Sequence, residues 1–247
     1  MPKSAPMPVS RDSGHPGPDT RAPARAQVST RATLSSLLDS DFVIIDVETT
    51  GLGADSAITE IGALLVMSGR IADEFHSMVN PTLPIPRRIT ELTGITTEMV
   101  ADADPIDVVF PRFIDWSRID EDGPAPTLVA HNAPFDMGFL TRAALACNRP
   151  FPNVGIIDTL ALSRVLLPRP RIANHRLATL ADYFEIAQPH AHRALSDAYT
   201  TWQVLLALAL INEERCSGSD KGGHRASALM HSLSAPTSEG PRPSPEG

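Results

Sequence analysis

Two carboxylates stand two residues apart at the end of an apolar run, Asp46 and Glu48 in Phe42-Val-Ile-Ile-Asp-Val-Glu-Thr-Thr-Gly51, and nothing else in the chain constrains it as much. The run is rich in β-branched residues and closes on a turn sequence, so it reads as a strand. Side chains in a strand alternate faces, which puts Asp46 and Glu48 on one side and Val43, Ile45 and Val47 on the other. Two acids sharing one patch beside a buried strand repel each other and resist desolvation. The arrangement asks for a cation between them, and a divalent metal is the simplest one.

The pattern around this strand predicts a mixed sheet covered by helices. Ile58 to Met67 reads as a second strand, turned at Ser68-Gly69 into a third from Arg70 to Val79. A short helix is expected over Arg88 to Leu92, ended by Gly94, and a longer one from Asp104-Pro105 to about Trp116. Thr127 to Ala130 is a short buried strand leading through His131-Asn-Ala-Pro-Phe-Asp136 into a helix that reaches about Cys147. Ile156 and Ile157 suggest a fifth strand. Asp158 or Thr159 can then cap a helix over Leu160 to Leu167, and another spans Leu177 to Phe184. The last helix, Ala194 to about Glu213, places Leu195, Tyr199, Trp202, Leu206 and Ala209 on one stripe. Strands opening the chain, then strands alternating with helices, give an α/β domain.

Composition sets the limits of that domain. Residues 1–40, rich in Pro, Ser, Arg and Ala, and residues 215–247, rich in Gly, Ser and Pro, lack the apolar content to offset ordering entropy and read as disordered tails around one domain at 41–214. Residues 41–215 carry thirteen basic and twenty-three acidic groups, a net of −10, against +2 for residues 1–40. A surface that grips duplex DNA over many phosphates needs the opposite sign. The balance leaves open an enzyme that holds a few nucleotides through metals. Cys147 and Cys216 form no paired motif, so neither a disulfide framework nor a zinc site is expected, and a reducing cytosol fits. The sequence offers no uncharged run of membrane-spanning length and no secretory leader, so no membrane partner is expected.

Further acids stand where local structure does not need them: Asp136 in the first turn of the helix after the fourth strand, and Asp197 early in the last helix, preceded by His192. Each alone could merely favour a helix N-terminus. Together with Asp46 and Glu48 they form a set at the edges of predicted elements. Asp-Val-Glu-Thr-Thr-Gly, His-Asn-Ala-Pro-Phe-Asp-Met-Gly-Phe-Leu and His-Arg-Ala-Leu-Ser-Asp-Ala resemble the three motifs of the DEDDh 3′-to-5′ exonucleases of the proofreading epsilon-subunit type. The resemblance spans about residues 41 to 212 and takes in Ile58-Thr-Glu-Ile-Gly-Ala and Ile157-Asp-Thr-Leu-Ala-Leu.

The resemblance implies an RNase-H-like fold and a reaction using two divalent ions, Mg²⁺ or Mn²⁺. Asp46 would bridge both ions, Glu48 and Asp197 would complete the tighter site, and Asp136 would hold the second ion, partly through water. Hard cations prefer such carboxylate oxygens, and two ions about 3.5 to 4 Å apart can stabilise both the attacking and the leaving oxygen. His192 would be the general base, since an imidazole of pKa about 6.5 can take a proton near neutrality. It stands five residues before Asp197, as the histidine branch of the family requires; the tyrosine branch would place Tyr where this chain has Arg193. Thr49, Leu52, His131, Asn132 and Phe135 would meet the terminal nucleotide, with Leu52 as a wedge, although Leu52 and Phe135 could equally be packing residues. Glu60, flanked by apolar residues, reads as serving the second strand and needs a partner if buried.

The expected activity is release of nucleoside 5′-monophosphates from single-stranded 3′ ends, DNA before RNA, in replication proofreading or repair. The rival inside the class is an exoribonuclease trimming tRNA ends or oligoribonucleotides; outside it, a silent module in a polymerase assembly. The protein partner is either a DNA polymerase or none, the latter for a stand-alone epsilon-like exonuclease. In the C-terminal tail only Ala228-Leu-Met and Leu233 offer apolar anchors, and no Gln-anchored clamp motif is seen.

Overall fold

The computed structural model describes residues 34–121 and 123–216. Its centre is a five-stranded sheet of order β3-β2-β1-β4-β5. Strands β1 (Phe42–Thr49), β2 (Ile58–Met67) and β3 (Arg70–Met78) pair antiparallel, while β4 (Thr127–Ala130) and β5 (Ile156–Asp158) extend the sheet from β1 in parallel. The β2–β3 turn falls on Ser68 and Gly69, both at positive φ, the backbone twist that a two-residue hairpin favours.

Alternation along β1 feeds two cores. Phe42 and Ile44 pack toward α8 (Ala194–Cys216), with Trp202, Leu205 and Leu206. Val43, Ile45 and Val47 pack on the other face, against Phe110, Phe113 and Ile114 of α4 (Ile106–Ser117) and Phe139 and Leu140 of α5 (Ala133–Ala146). Asp46 and Glu48 thus continue the α8 side of the strand, beyond the point where Ile44 ends its apolar half.

The predicted elements are present within a residue or three, with additions. Helix α2 (Arg87–Thr93) ends at Gly94 in the left-handed conformation, and α3 (Thr97–Val100) follows, capped by the Thr96 hydroxyl. Asp158 caps α6 (Thr159–Leu166), and α7 (Leu177–Tyr183) precedes the final loop.

Two features lie outside the expected pattern. The boundary at residue 41 leaves out α1 (Leu34–Leu38), where buried Leu37 packs into the α8-side core; one apolar turn has no sustained period to betray it. Helix α8 does not bury one stripe. From Ala198 to Ile211 it is enclosed almost all round, because β1 and β2 lie on one side and α6, α7 and α1 on the others. Among the described residues α8 is long and apolar enough to cross a membrane, but the apolar window that qualifies it is 67% buried in this core. The tail anchors Ala228-Leu-Met and Leu233 lie outside the described residues.

Candidate active site

Four carboxylates converge where β1 passes beyond β4. Strand β4 pairs with β1 only as far as Ile44, so the Val47 N–H beyond it lacks a strand partner. Asp136, in the first turn of α5, supplies one by accepting that N–H at 3.2 Å through Oδ1, which fixes its side chain beside Asp46 and Glu48. Asp197 arrives from the other side on the first turn of α8. Its approach depends on β2, where Gly62 pairs with Asp46 and a Cβ on Gly62 would lie 2.1 Å from the Leu195 nitrogen.

His192 precedes α8 with φ +63°, in the left-handed region, and its N–H donates to Asp197 Oδ2 at 3.1 Å. The side chain is exposed. Ligand atoms of Glu48, His192 and Asp197 lie within 4.8 Å of one another. Asp197 Oδ1 is buried without a hydrogen-bond partner.

The electrostatics follow from crowding. Burial pushes the Asp46 carboxyl well above its usual range, and the charges of Asp136, Asp197 and Glu48 push it further. Glu48 is pushed up to about 8 by burial and by Asp197 and Glu60, with Arg193 opposing. Burial raises Asp136 to about 8 against the N–H groups it accepts, and Asp197 to about 6 against the His192 N–H. A cluster of oxygen donors that resists ionisation, with one buried carboxylate oxygen unpartnered, fits a divalent cation. Asp46, Glu48, Asp136 and Asp197 would hold it, with His192 alongside.

This gives a measurable consequence. Because folding raises these pKa values, the stabilisation that they contribute is complete below the unfolded-state carboxyl pKa of about 4. It is lost as pH rises through about 6 for Asp197 and about 8 for Glu48 and Asp136. Metal-free protein is expected to melt at progressively lower temperature from pH 5 to 8. Saturating Mn²⁺ at about 100 times its dissociation constant is worth about 2.7 kcal/mol and raises the melting temperature by roughly 5–10 °C at pH 8. The gain shrinks at pH 5, where protons compete for the same oxygens. Differential scanning fluorimetry with and without chelator checks both trends.

A groove of about 1210 Å³ opens at His192 and Asp197 and runs past His131 and Asn132 to Arg164, Arg169 and Arg176. Thr49, Leu52 and Phe135 are not part of its lining. Leu52 is 81% exposed in the turn after β1, an unusual position for a large apolar side chain. Thr49 is buried, and its hydroxyl donates to the Gly51 carbonyl. Phe135 packs against Phe139 with ring centroids 5.0 Å apart. His131 is held by Thr159 through Nδ1 and by the His175 carbonyl through Nε2, and burial pushes its pKa down to about 4, so it is a neutral strut between β4 and the loop before α7. Asn132 caps α5 in the left-handed conformation, its own N–H tied to Asp158 Oδ1.

The sequence marked Glu60 as an acid that needs a partner if buried but did not identify that partner, which is Arg193. Glu60 is fully buried, yet it accepts from Arg193 Nη2 at 2.8 Å and Arg193 Nε at 3.2 Å, contacts His76 Nε2 at 2.6 Å and accepts the Ala194 N–H at 3.1 Å. These contacts hold its pKa below the ordinary value although burial alone would raise it. An acid inside an apolar strand was the available signal, but its main partner lies 133 residues away.

Acids and a histidine gathered at the ends of β1, β4 and α8 on this mixed sheet define a nuclease-type centre of the RNase-H-like fold. The family model described as Exonuclease (RNase_T) matches residues 43–205, and the chain belongs to that exonuclease family. Asp46, Glu48, Asp136 and Asp197 follow one another along the chain as D, E, D and D, with His192 just before the last of them. A Mycobacterium tuberculosis protein provisionally named a bifunctional exonuclease/endonuclease is 44% identical over 194 residues, 76% of this chain and 29% of its own length. The PolC-type DNA polymerase III of Caldanaerobacter subterraneus is 40% identical over 172 residues, 69% of this chain and 12% of the polymerase. The chain thus spans less than a third of these relatives. Exonuclease X, solved with 5′-overhanging duplex DNA, is 28% identical with a TM-score of 0.51, covering 75% of this chain and 99% of that one. E. coli exonuclease I, solved with a dT13 oligonucleotide, shares the fold at 16% identity and a TM-score of 0.62, covering 72% and 43% of the two chains.

Proposed function

We propose that this chain is a divalent-metal-dependent 3′-to-5′ exonuclease that acts on single-stranded DNA ends and releases nucleoside 5′-monophosphates, with Mg²⁺ or Mn²⁺ as its ions and a replicative or repair polymerase as its partner. The reading rests above all on one observation: Asp46, Glu48, Asp136 and Asp197 crowd together, Glu48 and Asp197 lie beside His192, and His192 and Asp197 line a groove that also carries Arg164, Arg169 and Arg176. Family membership and the similarity to PolC-type sequences support it.

Divalent cations held by Asp46, Glu48, Asp136 and Asp197 would polarise the attacking water and neutralise charge on the phosphoryl oxygens. His192 takes the proton of that water, and its exposure leaves it free to pass the proton to solvent. Water adds at phosphorus, the bond to the 3′ oxygen of the shortened strand breaks with that oxygen taking a proton from solvent, and the terminal nucleotide leaves with its 5′ phosphate. Arg164, Arg169 and Arg176 hold the backbone upstream, since their guanidinium forks match phosphate geometry and the domain is otherwise acidic. Asn132 and the exposed Leu52 meet the terminal nucleotide, with Thr49, His131 and Phe135 shaping the surface beneath it.

The test is a 5′-labelled single-stranded oligonucleotide, as DNA and as RNA, incubated with the protein and Mn²⁺. A DNA ladder shortening from the 3′ end, with RNA cut at least about tenfold more slowly, is the expected result; a fixed 2′-OH clash or lost contact of about 1.4 kcal/mol suffices for that ratio. Faster loss of RNA would make the chain an exoribonuclease. Internal cuts would remove the exonuclease reading.

A further inference from the structure

We propose that Glu60 and Arg193 form a positioning pair that holds His192 in its reactive place, an inference that rests on the exonuclease reading above. The segment 187–193 is a partition between two cavities. Gln188, Ala191 and His192 face the substrate groove. Ala187, Pro189, His190 and Arg193 face a separate pocket of about 460 Å³, floored by Glu60 and His76. Arg193 therefore turns away from the groove and does not line the substrate path.

His192 needs such support. A histidine at φ +63° occupies a backbone region that side chains with a Cβ disfavour, so its neighbours must hold it there. Its own N–H is given to Asp197 Oδ2. On its C-terminal side Arg193 is anchored through both Nε and Nη2 to Glu60, and the next residue donates its N–H to the same carboxylate. Glu60 is fully buried in β2, opposite Glu48 in the register, so the anchor belongs to the strand that neighbours the acid cluster. An orphaned carboxylate there would be costly, which keeps Arg193 engaged. His76 completes the set from β3. The clamp thus ties the loop to the sheet, and displacement of a reacting group by about 1 Å can cost 10²-fold in rate.

Oligonucleotide degradation kinetics are compared for wild type, Arg193→Ala and Glu60→Gln, each also combined with His192→Ala. Arg193 is partly exposed, so its variant keeps the test open if Glu60→Gln fails to fold. With His192 present, kcat is expected to fall about 10- to 100-fold while KM for the oligonucleotide stays within about threefold. In the His192→Ala background neither change lowers the residual rate further. Equal losses in both backgrounds would mean general support of the fold and overturn the proposal, as would an unchanged kcat in Arg193→Ala. A second readout does not depend on activity: hydrogen exchange at the His192 amide should speed at least about tenfold in Arg193→Ala, with the amides of the middle of α8 unaffected. Unchanged exchange refutes the clamp. A wild-type protein that leaves every oligonucleotide intact refutes the exonuclease reading instead, and exchange then decides the clamp by itself.

Discussion

Asp46→Asn is expected to lower oligonucleotide degradation by at least about 10³-fold, which corresponds to roughly 4 kcal/mol of transition-state stabilisation. The same change should make the metal-free protein more stable at pH 8, and the pairing of opposite signs separates a catalytic role from a structural one. Asp46 stands where the influences of Asp136, Asp197, Glu48 and Glu60 meet, and its carboxyl is held well above its ordinary range by burial and by those charges. Asparagine has nearly the same shape and carries no charge, so folding no longer has to desolvate an ionised group among like charges. A gain of about 1 kcal/mol, or some 2–4 °C in melting temperature, is the expected direction at pH 8, shrinking as pH falls and vanishing only well below the unfolded-state pKa of about 4, where Asp46 is protonated in both states. Mn²⁺ should raise the melting point of wild type more than that of the variant. An Asp46→Asn protein that degrades oligonucleotides at the wild-type rate would remove the acid cluster from the chemistry.

Strand alternation is the reason that so much of this centre was legible beforehand. Phe42 to Glu48 separates its two faces residue by residue, so the sharing of a face by Asp46 and Glu48 follows from the period of the strand alone, and the two cores bear it out. Asp136 and Asp197 were legible as acids in first turns, whereas His192 was singled out only by the family resemblance, whose histidine branch has a His five residues before the last Asp. What stayed hidden depends on contacts between distant segments. The buried face of Glu60 is filled by Arg193, and no local pattern says that residues so far apart will meet. His131 looked like a groove residue and does line the groove, yet both of its ring nitrogens are engaged, by Thr159 and by the His175 carbonyl. In α8 the stripe of Leu195, Tyr199, Trp202, Leu206 and Ala209 was legible from helical spacing, while the burial of the other faces comes from α1, α6 and α7 closing over the helix.

Gly62→Ala is the substitution expected to damage fold and site together. The added Cβ would lie 2.1 Å from the Leu195 nitrogen, 2.3 Å from the Ala194 carbonyl carbon and 2.5 Å from the Leu195 Cα. All three are backbone atoms, so no side-chain rotation relieves the overlap, and the first turn of α8 must move off β2 by more than 1 Å to reach ordinary contact. That turn carries Asp197, is preceded by His192, and gives its Ala194 N–H to Glu60, so one methyl group disturbs the proposed metal ligand, the proposed proton acceptor and the proposed clamp at once. Overpacking of this kind costs about 1–3 kcal/mol, which lowers the melting temperature by roughly 3–10 °C, and the displaced geometry should cut kcat by about 10²-fold or more even in the fraction that folds. Gly138 supplies the contrast, because a Cβ there meets nothing within 4 Å and the residue lies inside α5. Gly138→Ala should therefore hold or slightly raise the melting temperature through helix propensity, by up to about 1 kcal/mol. Thermal melts and steady-state rates on the two variants measure the difference. If Gly62→Ala matches Gly138→Ala in both, α8 does not rest on β2 as described, and the convergence of Asp197 on Asp46 loses its structural cause.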